Sequence, residues 1–394
     1  MQIIIALILL LLTLPALYLL ATTIAAYFFR KKEDAPNRFL NIGILIPAHN
    51  EEEGIGRTVR NVLACDYPAN RRDIFVIADN CTDGTAQAAR IAGATVVERT
   101  DTQNRGKGQA LDWFLKTWNE LYRHTDAIAV IDADTAPESG FLREISLSLS
   151  QPDIEVVQAY NGVSNAKAGW RPGLIDAAFN VFNHLRVAGA CLLGGSCMLK
   201  GNGMAFRTTL LQRTGWPSHS IVEDMEYSLL LLQQGISVHY NPEAVIRSEM
   251  VRSGKNASSQ RSRWEGGRFT LVAQLTLPIF KRFIATGSPK YLVALAELVV
   301  PPLSLLVLLF AAGTLLALVP GNPRWLALPA VWWAILIFYV ASGQLQRNAP
   351  LSTWAVLLAA PLYILWKIPL YAAMLIRRKS ETWIRTAREG DTNK

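Results

Sequence analysis

Cysteine is scarce in this chain and follows no pattern. Cys65, Cys81, Cys191 and Cys197 are the only four in 394 residues, with no Cys-x-x-Cys spacing. That disfavours a disulfide scaffold and a redox or zinc-ribbon motif, and fits reduced thiols in a cytoplasmic domain. The five histidines are scattered, so a zinc site has no ligand set to draw on. Charged residues make up only 18% of the chain, thin for a soluble enzyme. Lys and Arg outnumber Asp and Glu by 39 to 31, but the excess flanks hydrophobic runs. It carries no interleaved aromatics for base stacking, so it suits a membrane face and no nucleic-acid partner is expected. There is no internal repeat and no low-complexity segment. A signal peptide is the competing reading of the first apolar run, but it has no basic stretch ahead of it and is too long for a signal-peptide core, so a membrane helix is expected.

Apolar residues, by contrast, reach 51% and are unevenly spread. Residues 2–29 carry no charge; as a helix they would reach about 40 Å, more than a bilayer core needs. Arg30-Lys31-Lys32 follows at once and places the next domain in the cytoplasm. From residue 41 to about 252 short apolar runs alternate with helical patterns. Strands are predicted at 42–46, stopped by Pro47, and at 74–78, 94–97 and 127–131, with helices at 51–64, 85–92 and 108–122. Such alternation implies a mostly parallel, Rossmann-like α/β sheet covered on both faces, with ligands at the carboxyl ends of its strands. Asn50, Asp79 and Asp132 each fall just past a strand end. A strand at 156–160, a helix at 176–188 with Phe179, Phe182 and Val187 on its apolar face, and a strand at 236–240 ending at Asn241-Pro242 complete the domain. Residues 193–197 and 201–203 are glycine loops, either suited to close backbone approach to a ligand or plain turns.

Beyond the domain, residues 255–269 read as a basic amphipathic helix on the membrane surface. Residues 291–319 can span once with a kink at Pro301-Pro302, followed by spans at 325–341 and 354–376. The predicted division is a transmembrane helix at 1–29, a cytoplasmic catalytic domain at 30–254, interface helices at 255–290, about three transmembrane helices at 291–376 and a basic tail at 377–394. Three downstream spans put that tail outside, whereas Arg377-Arg378-Lys379 favours the inside, so its side stays open. Glu297 and Lys367 are the charges within the apolar runs: they are expected to pair, or Lys367 to snorkel to an interface.

Three acidic or basic stretches carry the chemistry. Asp132-Ala-Asp134 follows a buried strand, and alternate residues of an extended chain share a face, so both carboxylates can meet one hard cation such as Mg²⁺ or Mn²⁺. Glu223-Asp224 begins a helix that stops at Gly235, where carboxylates suit the positive dipole end; simple capping is the plain alternative. Arg105-Gly-Lys107 can bind phosphate oxygens or form a solvated loop. Asp79-Asn-Cys-Thr-Asp-Gly-Thr85 can be a site or an ordinary turn with a helix cap.

Taken together, Ile46-Pro-Ala-His-Asn-Glu-Glu52, Asp79-Asn-Cys-Thr-Asp-Gly-Thr85, Asp132-Ala-Asp134, Val222-Glu-Asp224 and Gln260-Arg-Ser-Arg-Trp264 resemble, in order, the motifs of the membrane-bound family 2 glycosyltransferases. That group includes cellulose, chitin and hyaluronan synthases. The resemblance implies a GT-A fold and an inverting, metal-dependent transfer from a nucleotide-diphosphate sugar, UDP-linked, to a growing β-linked glycan. A single transfer to a lipid acceptor and a non-catalytic nucleotide-sugar-binding subunit are the alternatives. It implies that Asn50, Glu51 and Asp79 hold the nucleoside, that Lys107 approaches the diphosphate, and that Asp132 and Asp134 bind donor and metal. Asp224 would be the general base; Glu223, Gln260, Arg263 and Trp264 would serve acceptor and diphosphate. Ala78 departs from the pattern where many members carry a second Asp. Membrane lipids are expected neighbours in a cell membrane, and a second copy or a secretion partner would fit such an enzyme.

Overall fold

Ile42, Ile44 and Ile46 alternate along one strand and are fully buried, the period-two pattern of a strand with a packed face. They begin a sheet whose computed structural model describes residues 1–31, 38–250 and 254–376, the side chains of 254–264 and 374–376 excepted. Its strands are β1 (Ile42–Ala48), β2 (Arg72–Asp79), β3 (Thr95–Arg99), β4 (Ala127–Val130), β5 (Thr135–Pro137), β6 (Val156–Val163), β7 (Met204–Arg207) and β8 (Val238–Ser248). The order across the sheet is β3-β2-β1-β4-β7-β6-β8-β5. β1 pairs in parallel with β2 and β4, β2 with β3, and β6 with β8; β7 is antiparallel to both its neighbours, and β5 to β8. The expected mostly parallel sheet is present.

On one face, Ile44, Ile46, Val76, Ala129 and Ile131 pack with Ile55, Val59 and Val62 of helix Glu52–Leu63 and with Phe141, Leu142, Ile145 and Leu149 of helix Phe141–Leu149. Each fully buried aliphatic side chain contributes about 1.5–3 kcal/mol. Phe75 meets Phe114 of helix Lys107–Thr117 at 5.7 Å, and Phe114 meets Tyr122 at 5.7 Å.

The topology decides what reaches the sheet's carboxyl edge. β2, β1 and β4 run the same way and lie side by side, so the loops after Asp79, Ala48 and Val130 emerge together. β7 runs oppositely beside β4, with Met204 opposite Val130. The loop that enters β7, residues 200–203, therefore opens at the same edge.

Two expectations for this unit change. The strand predicted at 236–240 continues through Asn241-Pro242 to Ser248. The register slips there: Asn241 pairs with Ala159 and Val245 with Tyr160, so residues 242–244 bulge out of the ladder. Proline is tolerated at a bulge because no ladder donor is needed there. The helix predicted at 108–122 breaks at Trp118 into Lys107–Thr117 and Asn119–Tyr122.

The described residues form two compact units: those within 30–165 and 195–257, which hold the sheet, and those within 1–29, 166–194 and 258–376, which are helical. The sequence reading put 166–194 inside the sheet domain and gave its helix as 176–188. The helix runs instead from Trp170 to Gly194, with a π turn over Asn180–Leu185, and belongs with the apolar helices. A helix with one apolar stripe packs equally well on a sheet or on other apolar helices, so periodicity could not tell the two apart.

In that helical unit, Gln2–Phe28, Pro323–Gln346 and Leu351–Ala373 are long and apolar enough to cross a bilayer. Pro289–Val299 and Leu303–Leu318 form a bent pair at 78° across Pro301-Pro302, so three or four crossings fit. The kink expected within 291–319 is thus a sharp break. The expected basic surface helix is the start of a single helix, Gly254–Thr286. The expected charges are paired and buried. Glu297 Oε1 accepts from Arg186 Nε at 2.5 Å and from the Tyr18 hydroxyl at 2.5 Å. Lys367 does not snorkel: its ammonium donates to Glu265 and, at 2.9 Å, to Ser304 Oγ. The basic tail at 377–394 lies outside the described residues.

Candidate active site

The loops after β1 and β2 each carry an asparagine in the left-handed region, Asn50 (φ 54°) and Asn80 (φ 52°). Asparagine visits that conformation more readily than other side-chain-bearing residues. The Thr82 amide donates to Asn50 Oδ1 at 2.8 Å and Asn50 Nδ2 donates to Thr82 Oγ1 at 3.2 Å, tying the loop after β1 to the loop after β2. The Glu51 amide donates to Thr85 Oγ1 at 2.7 Å. The caps cross over: the Glu52 amide donates to Asp83 Oδ2 at 3.2 Å while the Gly84 amide donates to Glu52 Oε2 at 3.0 Å. Asn50 and Glu51 thus build the floor of the edge.

Asp79 ends β2 and is buried. Arg99 Nη1 donates to its Oδ1 at 2.7 Å and Asn80 Nδ2 donates to the same oxygen at 3.0 Å. The strand register explains the ion pair, since Asp79 lies opposite Arg99 at the end of β3. Arg99 also donates to Asp101 Oδ2 at 2.9 Å and to the Asn104 carbonyl at 2.7 Å. Burial pushes the Asp79 carboxyl above its ordinary value, more than Arg99 and Asn80 draw it back. β2, β1 and β4 being neighbours, Asp79 stands about 10 Å along the edge from Asp132, two strand spacings.

Around Asp132 the contacts converge. Lys107, the first residue of its helix, donates through Nζ to Asp132 Oδ1 at 2.5 Å and to the Gly201 carbonyl. Asp132 and Asp134 are half-buried on either side of the buried Ala133, but the expected extended chain is absent: β4 ends at Val130 and the residues turn, the Thr135 amide donating to the Asp132 carbonyl at 3.1 Å. Asn202, 1% exposed, holds this loop to the sheet. Its Oδ1 accepts from the Asp132 amide at 3.1 Å, and its Nδ2 donates to Thr135 Oγ1 at 2.8 Å and Ser248 Oγ at 2.9 Å. Gln158 donates to the Asn202 carbonyl at 2.9 Å and accepts from the Lys200 amide at 2.8 Å.

Glu223 and Asp224 open the helix Glu223–Gln233. The Met225 amide donates to Asp224 Oδ1 at 2.8 Å, and Ser228 Oγ donates to the Asp224 carbonyl at 2.7 Å while accepting from the Leu199 amide at 2.8 Å. A Cβ at Gly201 would stand 3.2 Å from Asp224 Oδ2, and Gly201 has φ +76°. Only glycine gives this approach without strain. Burial and the adjacent Asp224 charge push Glu223 well above the carboxylate range, with Lys107 pulling the other way. Burial also raises Asp224, against the Met225 amide and the Lys107 and Lys200 ammoniums. Burial pulls Lys107 down, but Asp132, Glu223 and Asp224 outweigh it and the group titrates above the ordinary lysine value.

Lys107, Asp132, Glu223 and Asp224 therefore form one electrostatic cluster, and Asp134 lies two residues along the loop from Asp132. Capping alone does not account for a buried Glu223 and a half-buried Asp224 whose charges act on the same lysine. Asn202, Arg99, Gln158 and Lys200 were missed. Asn202 was visible only as the middle of a glycine loop, and Arg99 only as a charge at the end of a third strand. The side chains of Gln260, Arg263 and Trp264 lie outside the described residues; their backbone is helical.

Comparison with known proteins bears on this geometry. Over 253 residues the chain is 25% identical to a probable glycosyltransferase, YdaM, of Bacillus subtilis, covering 61% of this chain and 58% of that one. It is 29% identical over 239 residues to the beta-monoglucosyldiacylglycerol synthase of Nostoc, covering 57% and 48%. It is 22% identical over 272 residues to a probable glucomannan 4-beta-mannosyltransferase of Arabidopsis thaliana, covering 66% and 49%. The chain thus spans about half the length of the curated relatives it matches. Among solved structures, the mannosyltransferase PcManGT of Pyrobaculum calidifontis, in complex with GDP-Man and Mn²⁺, superposes with TM-score 0.58 at 22% identity over 92% of this chain and 99% of that one. The shared fold is GT-A. The family model described as glycosyltransferase like family 2 matches residues 38–267, more than half of the chain, and the chain belongs to that family.

Proposed function

We propose that the chain is a membrane-bound inverting glycosyltransferase that takes a sugar from a nucleotide-diphosphate donor, UDP-linked, and adds it to a growing β-linked glycan. The observation that carries this reading is the Lys107–Asp132–Asp224 cluster at the carboxyl edge of the sheet. The nucleoside lies toward Asp79, and the roughly 10 Å from there to Asp132 suits the reach of a nucleotide to its diphosphate.

Asp132 and Asp134 fit a divalent cation. Among the described residues no group of three or more His, Cys, Asp or Glu side chains forms a metal cage, and Mg²⁺ or Mn²⁺ bound with substrate phosphates needs only one or two carboxylates. When bound there, the ion supplies charge neutralisation at the leaving diphosphate. In the transfer, an acceptor hydroxyl oxygen forms a bond to the sugar's C1 while the C1–O bond to the diphosphate breaks with its electron pair. The hydroxyl proton goes to Asp224. A base with a raised pKa is matched to that proton. Lys107 favours the ionised form of Asp224 against burial and faces the phosphate side through Asp132. Glu223, Gln260, Arg263 and Trp264 serve acceptor and diphosphate, as the family motifs imply. The sheet unit lies in the cytoplasm, where the donor is, with the apolar helices in the cell membrane.

A second reading keeps the donor chemistry and makes the acceptor a lipid. The similarity to a beta-monoglucosyldiacylglycerol synthase favours it. Membranes containing the chain, given a panel of radiolabelled nucleotide sugars, separate the two. A ladder of glycan products supports polymer synthesis, and a single organic-extractable product supports the lipid acceptor. No transfer from any donor, with the folded protein verified, rejects both.

A further inference from the structure

Glu265 follows directly on Trp264, and its carboxylate is buried among apolar helices. Its side chain is 8% exposed and that of its partner, Lys367, 5%. Lys367 also donates to Ser304 Oγ at 2.9 Å and lies 5.5 Å and 5.7 Å from the ring centres of Tyr363 and Tyr371. Ser304 in turn shares a hydrogen bond of 2.7 Å with the Tyr371 hydroxyl. Three residues beyond Glu265, Arg268 Nη2 donates to the carbonyls of Glu297 and Val300, each at 2.6 Å. Those carbonyls end the helix Pro289–Val299. For Glu297 the donor four residues on would be Pro301, which has no amide hydrogen to give.

Two residues at spacing three lie on one helix face. Helix Gly254–Thr286 is therefore gripped twice within one turn, once by an ion pair and once by a guanidinium plugging a broken helix end. Apolar side chains would pack these helices at least as stably, since desolvating two charges can cost as much as their attraction returns. What the charged version adds is directionality. Turning the helix by one residue, about 100°, breaks both grips at once. The grip begins one residue after the Gln260–Trp264 stretch, whose first residue is about 8 Å away along the axis.

We propose that Glu265, Lys367 and Arg268 lock the rotational register of helix Gly254–Thr286 and act as positioning residues for Gln260, Arg263 and Trp264. The lock governs how firmly the acceptor is held, and in that respect it rests on the function proposed above.

The test uses the full-length protein in nanodiscs. Lys367→Met should speed amide hydrogen exchange at residues 256–264 about tenfold, with no change at 303–318. It should raise the acceptor KM about fivefold or more while slow donor hydrolysis stays within about twofold. Glu265→Lys alone should do the same, and Glu265→Lys combined with Lys367→Glu should recover most of both. Should Lys367→Met fail to insert, Lys367→Arg keeps the charge, alters the head-group geometry and should give a smaller shift of the same kind. Unchanged exchange at 256–264 overturns the lock. So does a parallel fall of melting temperature, donor hydrolysis and transfer that the charge swap leaves uncorrected. Exchange is read without substrate, so failure of the proposed reaction leaves that arm standing, and unchanged exchange leaves the proposed reaction standing.

Discussion

Asp224→Asn keeps the size and hydrogen bonding of the side chain but cannot take a proton. Turnover should fall at least about a hundredfold with donor affinity within about twofold, checked by steady-state kinetics and nucleotide titration; normal turnover would remove Asp224 from the mechanism. The same residue predicts a pH profile. A base works only when ionised, and burial raises both Asp224 and Glu223. Activity should therefore climb with pH over a range above the ordinary carboxylate value of about 4. Lys107 opposes both shifts, so Lys107→Met should move that rising limb to higher pH. A limb that stays put or moves down would contradict the cluster. At this scale the acidic pairs were legible because their chemistry is written in their own side chains. The grip of Arg99 on Asp79 was not, because it depends on strands twenty residues apart lying in register.

The loop of residues 200–203 shows how an element sets the site. It enters β7, the antiparallel strand beside β4, and so delivers Gly201 to Lys107 and Asp224. A methyl at Gly201 meets both a positive φ and the Asp224 carboxylate. Gly201→Ala should cost about 1–2 kcal/mol in backbone strain and lower turnover about tenfold or more by displacing Asp224, read as a melting-temperature shift beside a kinetic one. Wild-type kinetics would mean that the loop gives way. The parallel strands and their helices could be read from apolar runs and turn residues. β7 and β5 could not, at four and three residues, being too short for a period to show. The helix Trp170–Phe179 and its continuation to Gly194 were read in the wrong unit, because an apolar stripe does not name its partner.

For the molecule as a whole, the two carboxylates of Asp132 and Asp134 imply that donor binding and metal binding support one another. Chelation should abolish transfer and Mg²⁺ or Mn²⁺ should restore it, while Asp134→Ala should weaken donor binding about tenfold or more; full activity in excess chelator would exclude the assignment. The broken helix carries a different consequence. Leu303–Leu318 has 16 residues, about 24 Å of helix, against a hydrocarbon core of about 30 Å. Because the preceding helix turns away by 78°, it adds little reach. Where this pair makes a fourth crossing, the bilayer has to thin at the helix or the helices have to shift to meet it. The lipid is then a control variable. In vesicles of graded acyl-chain length, turnover should peak in the shorter-chain members and decline as the chains lengthen. A flat response across the series would mean that neighbouring helices absorb the mismatch.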